Sequence, residues 1–259
     1  MSRYARLRGR PTVEGRRAVI EALRAGREIS QILMQDDAKL GPQLREIVFL
    51  ADNAGISVEA VSRRDLDRQS ATRKHQGVIA VVPDARYVPI EDLVFAADNR
   101  NEPPLLIVLD GVQDPHNLGA IARTLDAAGG HGIVIPERRA AGISPGAIRA
   151  SAGALEHVPV ARVPNVAKSA NYLKTIGLNL VGLDQEAENH YSEPDYTVPT
   201  AIVVGSEERG ISPGVRSACE SVISIPLRGQ MASLNASVAA AIVLYEAVRQ
   251  RSAEELQRP

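Results

Sequence analysis

Residues 105–136 read LLIVLDGVQDPHNLGAIARTLDAAGGHGIVIP, and the fold is decided there. Leu105 to Leu109 is an unbroken aliphatic run with no polar alternation, the pattern of a strand buried on both faces. Asn117 to Ala128 then carries Leu118, Ile121, Ala122 and Leu125 at helical spacing and stops at Gly129-Gly130, which predicts a helix with a glycine end. Asp114 to Asn117 predicts a turn and helix cap around Pro115. Gly132 to Ile135 is the next aliphatic run. Strand, helix and strand in this order predict a βα repeat.

The repeat continues toward the C-terminus. Helices are expected at Gly146–Ala154 and Val166–Ile176, and strands at Val158–Val163, Leu178–Leu183, Ala201–Gly205 and Val222–Ile225. The last helix is expected from about Ser233, whose hydroxyl suits an N-cap or first turn, to Arg251. This is a doubly wound α/β domain, residues 105–259, with ligands expected at the carboxyl ends of a mainly parallel sheet. Toward the N-terminus, a smaller α/β unit spans residues 13–84. It has helices at Val13–Ala25 and Leu40–Ala54 and another through Arg68 capped by Ser62, with strands at Ile29–Met34, Ile56–Val61 and Val78–Val82. Prolines 83, 89, 103 and 104 surround a short helical piece at Ile90–Ala97, and residues 85–104 are read as a linker.

Composition narrows the function. Two Phe, six Tyr and no Trp disfavour base-stacking platforms as the basis for binding. One cysteine, Cys219, excludes an intrachain disulfide and a cysteine zinc cluster. No stretch is long enough to span a bilayer, so no membrane role and a reducing cytoplasm are expected. A net charge of -1 conceals a division: residues 1–86 hold 16 Lys/Arg against 11 Asp/Glu, and residues 87–259 hold 14 against 20. Residues 1–12 form an arginine-rich tail, of which residues 1–10 read equally as solvated chain or as RNA contact. A second basic patch, Arg63, Arg64, Arg68, Arg73 and Lys74, runs into His75-Gln76-Gly77 and predicts nucleic-acid contact.

The strand exits carry the chemistry. No G-x-G-x-x-G lies between strand and helix, which disfavours a dinucleotide oxidoreductase, and no G-x-x-x-x-G-K-[ST] occurs. His116 beside Asp114 lacks a second ligand at metal spacing, so no metal is expected. Asn117 and Arg123 stand six apart on one helix, and the apolar residues around Arg123 suggest a charge held for use. Gly205 and Gly210 bracket Glu207 after a buried strand, which would let the backbone approach a ligand closely. Ser233-Leu234-Asn235 stands at the mouth of the last helix.

Three passages together resemble the SpoU (TrmH-like) RNA 2′-O-ribose methyltransferases. They are Asn117-x-Gly119-x-x-x-Arg123, Gly205-x-Glu207-x-x-Gly210, and Ile225-Pro226-Leu227-x-Gly229-x-x-x-Ser233-Leu234-Asn235-x-Ser237. Glu14-Gly15-Arg16 and His75-Gln76-Gly77-Val78 extend the likeness to the front unit. The resemblance implies a ribosomal-protein-like RNA-binding domain followed by a Rossmann-like parallel sheet with a deep trefoil knot. It implies S-adenosylmethionine as donor, with Gly205, Ile225 and Leu234 lining its pocket. Asn117, Arg123, Glu207, Ser233 and Asn235 would line the reaction site, and Arg16, Arg73, Lys74, His75 and Gln76 would contact RNA. A homodimer through the knotted domain is implied too. The likeness is greatest to the branch that methylates a guanosine ribose in large-subunit ribosomal RNA; relatives modifying other ribosomal or transfer-RNA nucleotides share these motifs, as would a catalytically silent RNA-binding factor.

Overall fold

The computed structural model describes residues 11–24, 26–36, 41–70, 74–83 and 87–255. The chain divides into two units, residues 1–85 and 86–259. Most of the arginine-rich tail and Arg73 lie outside the described residues, as do Ala25 and Leu40, the expected ends of two helices.

In the first unit, the order is β1 (Thr12–Glu14), α1 (Arg16–Arg24), β2 (Gln31–Gln35), α2 (Pro42–Asn53), β3 (Val58–Val61), α3 (Arg63–Gln69) and β4 (Val78–Val81). The sheet order is β1-β4-β2-β3, with β2 and β3 parallel and β4 antiparallel to both its neighbours. Val19, Ile20 and Leu23 of α1 and Leu44 and Ile47 of α2 cover one face. Leu66 of α3 closes the other against Leu33, Ile79 and Val81. Ser62 caps α3 as expected, accepting from Asp65 N at 3.2 Å. Val13 does not begin α1. It belongs to β1 and pairs with Ala80, and Gly15 makes the corner into the helix at φ +92°. A three-residue strand is too short to impose a period of its own on the sequence.

In the second unit, α4 (Ile90–Asp98) precedes β5 (Leu105–Asp110), α5 (Pro115–Ala127), β6 (Gly132–Pro136), α6 (Pro145–Ala150) and β7 (Val160–Val163). There follow α7 (Val166–Thr175), β8 (Asn179–Leu183), β9 (Asn189–His190), β10 (Thr200–Gly205), α8 (Pro213–Arg216), β11 (Ser221–Ser224) and α9 (Ala236–Glu255). The sheet is β7-β6-β5-β10-β8-β11-β9, parallel at every pairing. Its central strands are buried on both faces, which is why Leu105–Leu109 shows no alternation. α5 and α9 pack on one face and α4, α7 and α8 on the other.

Two expectations change, and two short elements appear that were not expected. Residues expected as linker join this unit: Val88 N donates to Val160 O at 3.0 Å, and Leu93 is fully buried against the sheet. The prolines there end segments rather than loosen them, because the sheet face needs α4 as cover. β9 and α8, of two and four residues, leave no periodic signal. Finally, α9 starts at Ala236, and its cap is Asn235 rather than Ser233. Asn235 Oδ1 accepts from Ser237 N at 2.9 Å, and its carbonyl takes Ala239 N. The far end of α9 is tied down by Arg251, whose guanidinium donates to the carbonyls of Pro103, Pro104, Tyr196 and Val198.

Candidate active site

β8, β10 and β11 end at Leu183, Gly205 and Ser224, and a cavity of about 450 Å³ opens beyond their carboxyl ends. Leu183, Val204, Ile225 and Leu234 give it apolar walls. Asp184, Glu186, Glu207 and Glu208 line it with one cation, Arg209; Asp184 is ion-paired with Arg216, which leaves three acids against Arg209. A volume of this size suits a compact ligand, and the wall chemistry suits one that is apolar in part and positively charged.

Beside the cavity, three residues distant in sequence form one network. Glu207 Oε1 accepts from Asn117 Nδ2 at 2.9 Å and from Asn235 Nδ2 at 3.1 Å. Asn235 Nδ2 also donates to Asn117 Oδ1 at 2.9 Å. Asn117 is buried, so its amide must be satisfied, and Glu207 and Asn235 satisfy both ends. The network thereby fixes the carboxylate of Glu207 while Oε2 takes no hydrogen bond among the described residues. Asp114 caps α5, as expected, by accepting from His116 N at 2.8 Å, which sets Asn117 in the helix's first turn.

Glycines explain how the elements come so close. A Cβ at Gly119 would stand 2.4 Å from Ala147 O and 2.6 Å from Ala150 Cβ, so α6 seats directly on α5. A Cβ at Gly205 would stand 2.1 Å from the carbonyl carbon of Gly210. The close approach expected of Gly205 is therefore first to the chain itself. Residues 206–210 fold back in a tight hairpin, with Ser206 N donating to Gly210 O at 3.1 Å and Gly210 N to Ser206 O at 2.8 Å. Gly210 completes it at φ +64°. Glu207 rides on that hairpin.

Not every expected residue gathers here. Arg123 is exposed, and no hydrogen bond or ion pair joins it to the network among the described residues. Six residues rotate a helix through about 600°, leaving Arg123 about 120° from the direction of Asn117. Its apolar neighbours Leu118, Ile121, Ala122 and Leu125 face the core and do not enclose it. Ser233 lines the cavity and is exposed. A residue the sequence did not single out is Gln185, whose Nε2 donates to Ile225 O at 3.3 Å and so steadies that wall. Its only signal was a polar Asp-Gln-Glu run at a strand exit. Cys219 takes no part: burial pushes its thiol up to about 11.

In the first unit, Arg16 and Gln76 come together. Arg16 Nε donates to Gln76 O at 3.0 Å, and its backbone N–H reaches Gln76 Oε1 at 3.3 Å. Gln76 takes φ +52° to allow it. Gly15, Arg17, Lys74 and Gln76 border a concavity of about 470 Å³. His75 differs. It is buried, with Nε2 3.0 Å from Asp67 Oδ1 and Nδ1 accepting from Gly77 N at 3.1 Å, so it braces the loop and offers no surface to a ligand.

Residues 104–245 match the model of the SpoU rRNA Methylase family, and residues 12–88 match that of the RNA 2′-O ribose methyltransferase substrate-binding domain. The chain belongs to the SpoU rRNA methylase family. Among its relatives, the putative TrmH family tRNA/rRNA methyltransferase YacO of Bacillus subtilis is 43% identical over 240 residues, 93% of this chain and 96% of that one. Among solved SpoU structures, AviRb of Streptomyces viridochromogenes, in complex with AdoMet, aligns with TM-score 0.67 at 29% identity, over 93% of this chain and 90% of that one. An AdoMet-bound rRNA methyltransferase of Sinorhizobium meliloti aligns with TM-score 0.65 at 27% identity, over 92% and 86%. No helix of the described residues is long and apolar enough to cross a membrane, and none of their His, Cys, Asp and Glu groups could hold a metal ion.

Proposed function

We propose that this protein transfers a methyl group from S-adenosylmethionine to a ribose 2′-hydroxyl of RNA, and that its target is a guanosine in the large-subunit ribosomal RNA. The observation that carries this reading is the junction of Asn117, Glu207 and Asn235 at the rim of an acid-lined cavity. The donor is a cation with an apolar periphery and supplies an electrophilic methyl, and the cavity's walls fit those properties. Gly205, Ile225 and Leu234 would hold it.

The remaining work falls to the protein. A ribose hydroxyl is a poor acid, so its attack needs orientation and stabilisation of the developing alkoxide. Glu207, immobilised through one oxygen, keeps the other for the substrate. Asn117 and Asn235 hold that carboxylate at a fixed place, and Ser233 offers a hydroxyl on the same rim. A guanidinium resists deprotonation. Arg123 is therefore assigned to grip the substrate phosphate and stabilise negative charge, rather than to remove the proton. Arg16, Lys74 and Gln76 of the first unit would hold RNA as well, in the cytoplasm where ribosomal RNA is found.

Two architectural features belong to the same reading. β10 enters the sheet between β5 and β8, and the trefoil knot is taken to form where the chain beyond it threads back toward α9. α9 presents Val238 and Tyr245, 47% and 52% exposed, on one face of a helix seven residues apart. That apolar stripe is assigned to a homodimer interface.

The test is transfer of labelled methyl to RNA from a strain lacking the enzyme, followed by mapping of the labelled nucleotide. Label on a large-subunit guanosine ribose is expected. Label on another ribosomal or a transfer RNA would move the target, and donor binding without label on any RNA would leave a silent RNA-binding factor.

A further inference from the structure

The second unit is acidic in sum, yet residues 137–155 hold Arg138, Arg139 and Arg149 against a single acid, Glu137. All three arginines are exposed, and none of their side chains makes a hydrogen bond or ion pair among the described residues. Uncompensated charge on a floppy loop would signify little. This loop is fastened at every corner. Glu137 N donates to Val163 O at 2.9 Å, and Arg162 donates back to Glu137 O at 2.9 Å. Ala141 N donates to Val112 O at 2.8 Å, and Ile143 N to the Tyr87 hydroxyl at 3.1 Å. Arg162 also lies over the Tyr87 ring, 5.3 Å from its centroid. At the tip, Arg139 takes φ +57°, a conformation that costs a non-glycine residue about 1–2 kcal/mol. A glycine would relieve that cost, so the side chain is retained against the backbone's preference.

The loop also stands in a telling place. Its bond to Val112 ties it to the segment leading into α5, two residues before the cap that positions Asn117. The helix it leads into, α6, seats on Gly119, and Arg123 lies one turn farther along that same face of α5. We infer that Arg138, Arg139 and Arg149 form a phosphate-gripping surface for RNA on the catalytic unit itself, continuous with Arg123 and separate from the RNA-binding residues of the first unit. Arginine is suited to it by a planar fork that pairs with phosphate oxygens in two places. Rigid mounting lowers the entropy cost of ordering on binding. The cavity beyond β8, β10 and β11 is suited to a cation, and this arginine surface to a polyanion, so the two reactants are sorted by charge. The inference rests on the RNA-methylating reading above.

The test uses the full chain, a short fluorescein-labelled RNA hairpin, and Arg138→Ala, Arg139→Gly and Arg149→Ala singly and together. Anisotropy titrations over a range of salt give the slope of log affinity against log salt, which changes by about 0.9 for each duplex phosphate that is no longer neutralised. The triple variant should lower the slope by about 2–3 and leave donor affinity unchanged within about twofold. Arg139→Gly should melt no earlier than the parent while binding RNA more weakly, a combination that a purely structural arginine would not produce. An unchanged salt slope in the triple variant, with the parent still methylating RNA, overturns this inference alone. A parent that binds donor but neither binds nor methylates RNA overturns the functional reading and this surface with it.

Discussion

Gly205→Ala separates two explanations of one glycine. The added Cβ would stand 2.1 Å, 2.3 Å and 2.4 Å from the Gly210 carbonyl carbon, its oxygen and Ile211 N. All three are backbone atoms, so no rotamer change gives relief, and the hairpin 206–210 must move by about an ångström to reach ordinary van der Waals separation. Overpacking of this kind costs about 1–3 kcal/mol, and the backbone clashes place it at the upper end. The hairpin carries Glu207, whose bonds of 2.9 Å and 3.1 Å to Asn117 and Asn235 would stretch beyond hydrogen-bond range. Gly210→Ala is the comparison: its Cβ meets nothing within 4 Å, and only the φ of +64° is strained, for about 1–2 kcal/mol. Urea unfolding should place the Gly205→Ala midpoint about 1.5 M lower, taking about 2 kcal/mol/M for the slope. Isothermal titration should show S-adenosylmethionine binding abolished in Gly205→Ala and weakened in Gly210→Ala. A Gly205→Ala protein that unfolds with its parent and binds donor normally would refute the hairpin argument and return Gly205 to a simple ligand-approach role.

Other substitutions test the rest. Asn235→Asp keeps a capping oxygen for α9 but sets a second carboxylate against Glu207; methyl transfer should fall about 100-fold with the helix content unchanged by circular dichroism, and full activity would remove the network from catalysis. Ser233→Ala should leave the unfolding free energy in place, within about 0.5 kcal/mol, while lowering transfer, because Asn235 holds the cap; a destabilised but active variant would show the opposite assignment. Tyr245→Arg should convert a dimer to monomer in sedimentation velocity, and an unchanged dimer would exclude this face of α9. His131 is buried, accepting from Leu105 N at 3.1 Å through Nδ1 and meeting Glu102 through Nε2 at 3.1 Å. Burial first, then the nearby Arg100, lowers its pKa despite Glu102. Its contribution is full above about pH 6.5, where both states are neutral, and declines as pH falls toward the lower folded value, at no more than about 1.4 kcal/mol per pH unit. His131→Gln should flatten that part of the stability profile, and a profile of unchanged shape would count against the assignment.

The sheet was legible because parallel strands buried on both faces announce themselves as aliphatic runs, and β5, β6, β8 and β10 do so within a residue or two. What escaped was set by tertiary packing. β1 is paired through three residues whose apolar member, Val13, also fits a helical spacing. α4 reads as a proline-flanked interruption until Leu93 is seen beneath it. Ser233 and Asn235 are both good caps, and nothing local selects between them; Glu207 and Asn117, recruiting the Asn235 amide from 28 and 118 residues away, fix where the helix begins. Arg123 escaped for a different reason, since apolar neighbours in sequence are on the other side of the helix in space.

The Asn235 junction shows how one residue serves both stability and site geometry. Its Oδ1 satisfies the first turn of α9 through Ser237, while its Nδ2 faces Glu207 and Asn117. The helix that closes the core therefore cannot shift without moving the carboxylate, and the carboxylate cannot relax without uncapping the helix. A long helix anchored at its other end by Arg251 to four backbone carbonyls transmits that constraint to the start of β5. Precision at the cavity rim is thus supplied by the core itself, since Glu207, exposed at that rim, is held through Asn117 of α5 and the Asn235 cap of α9.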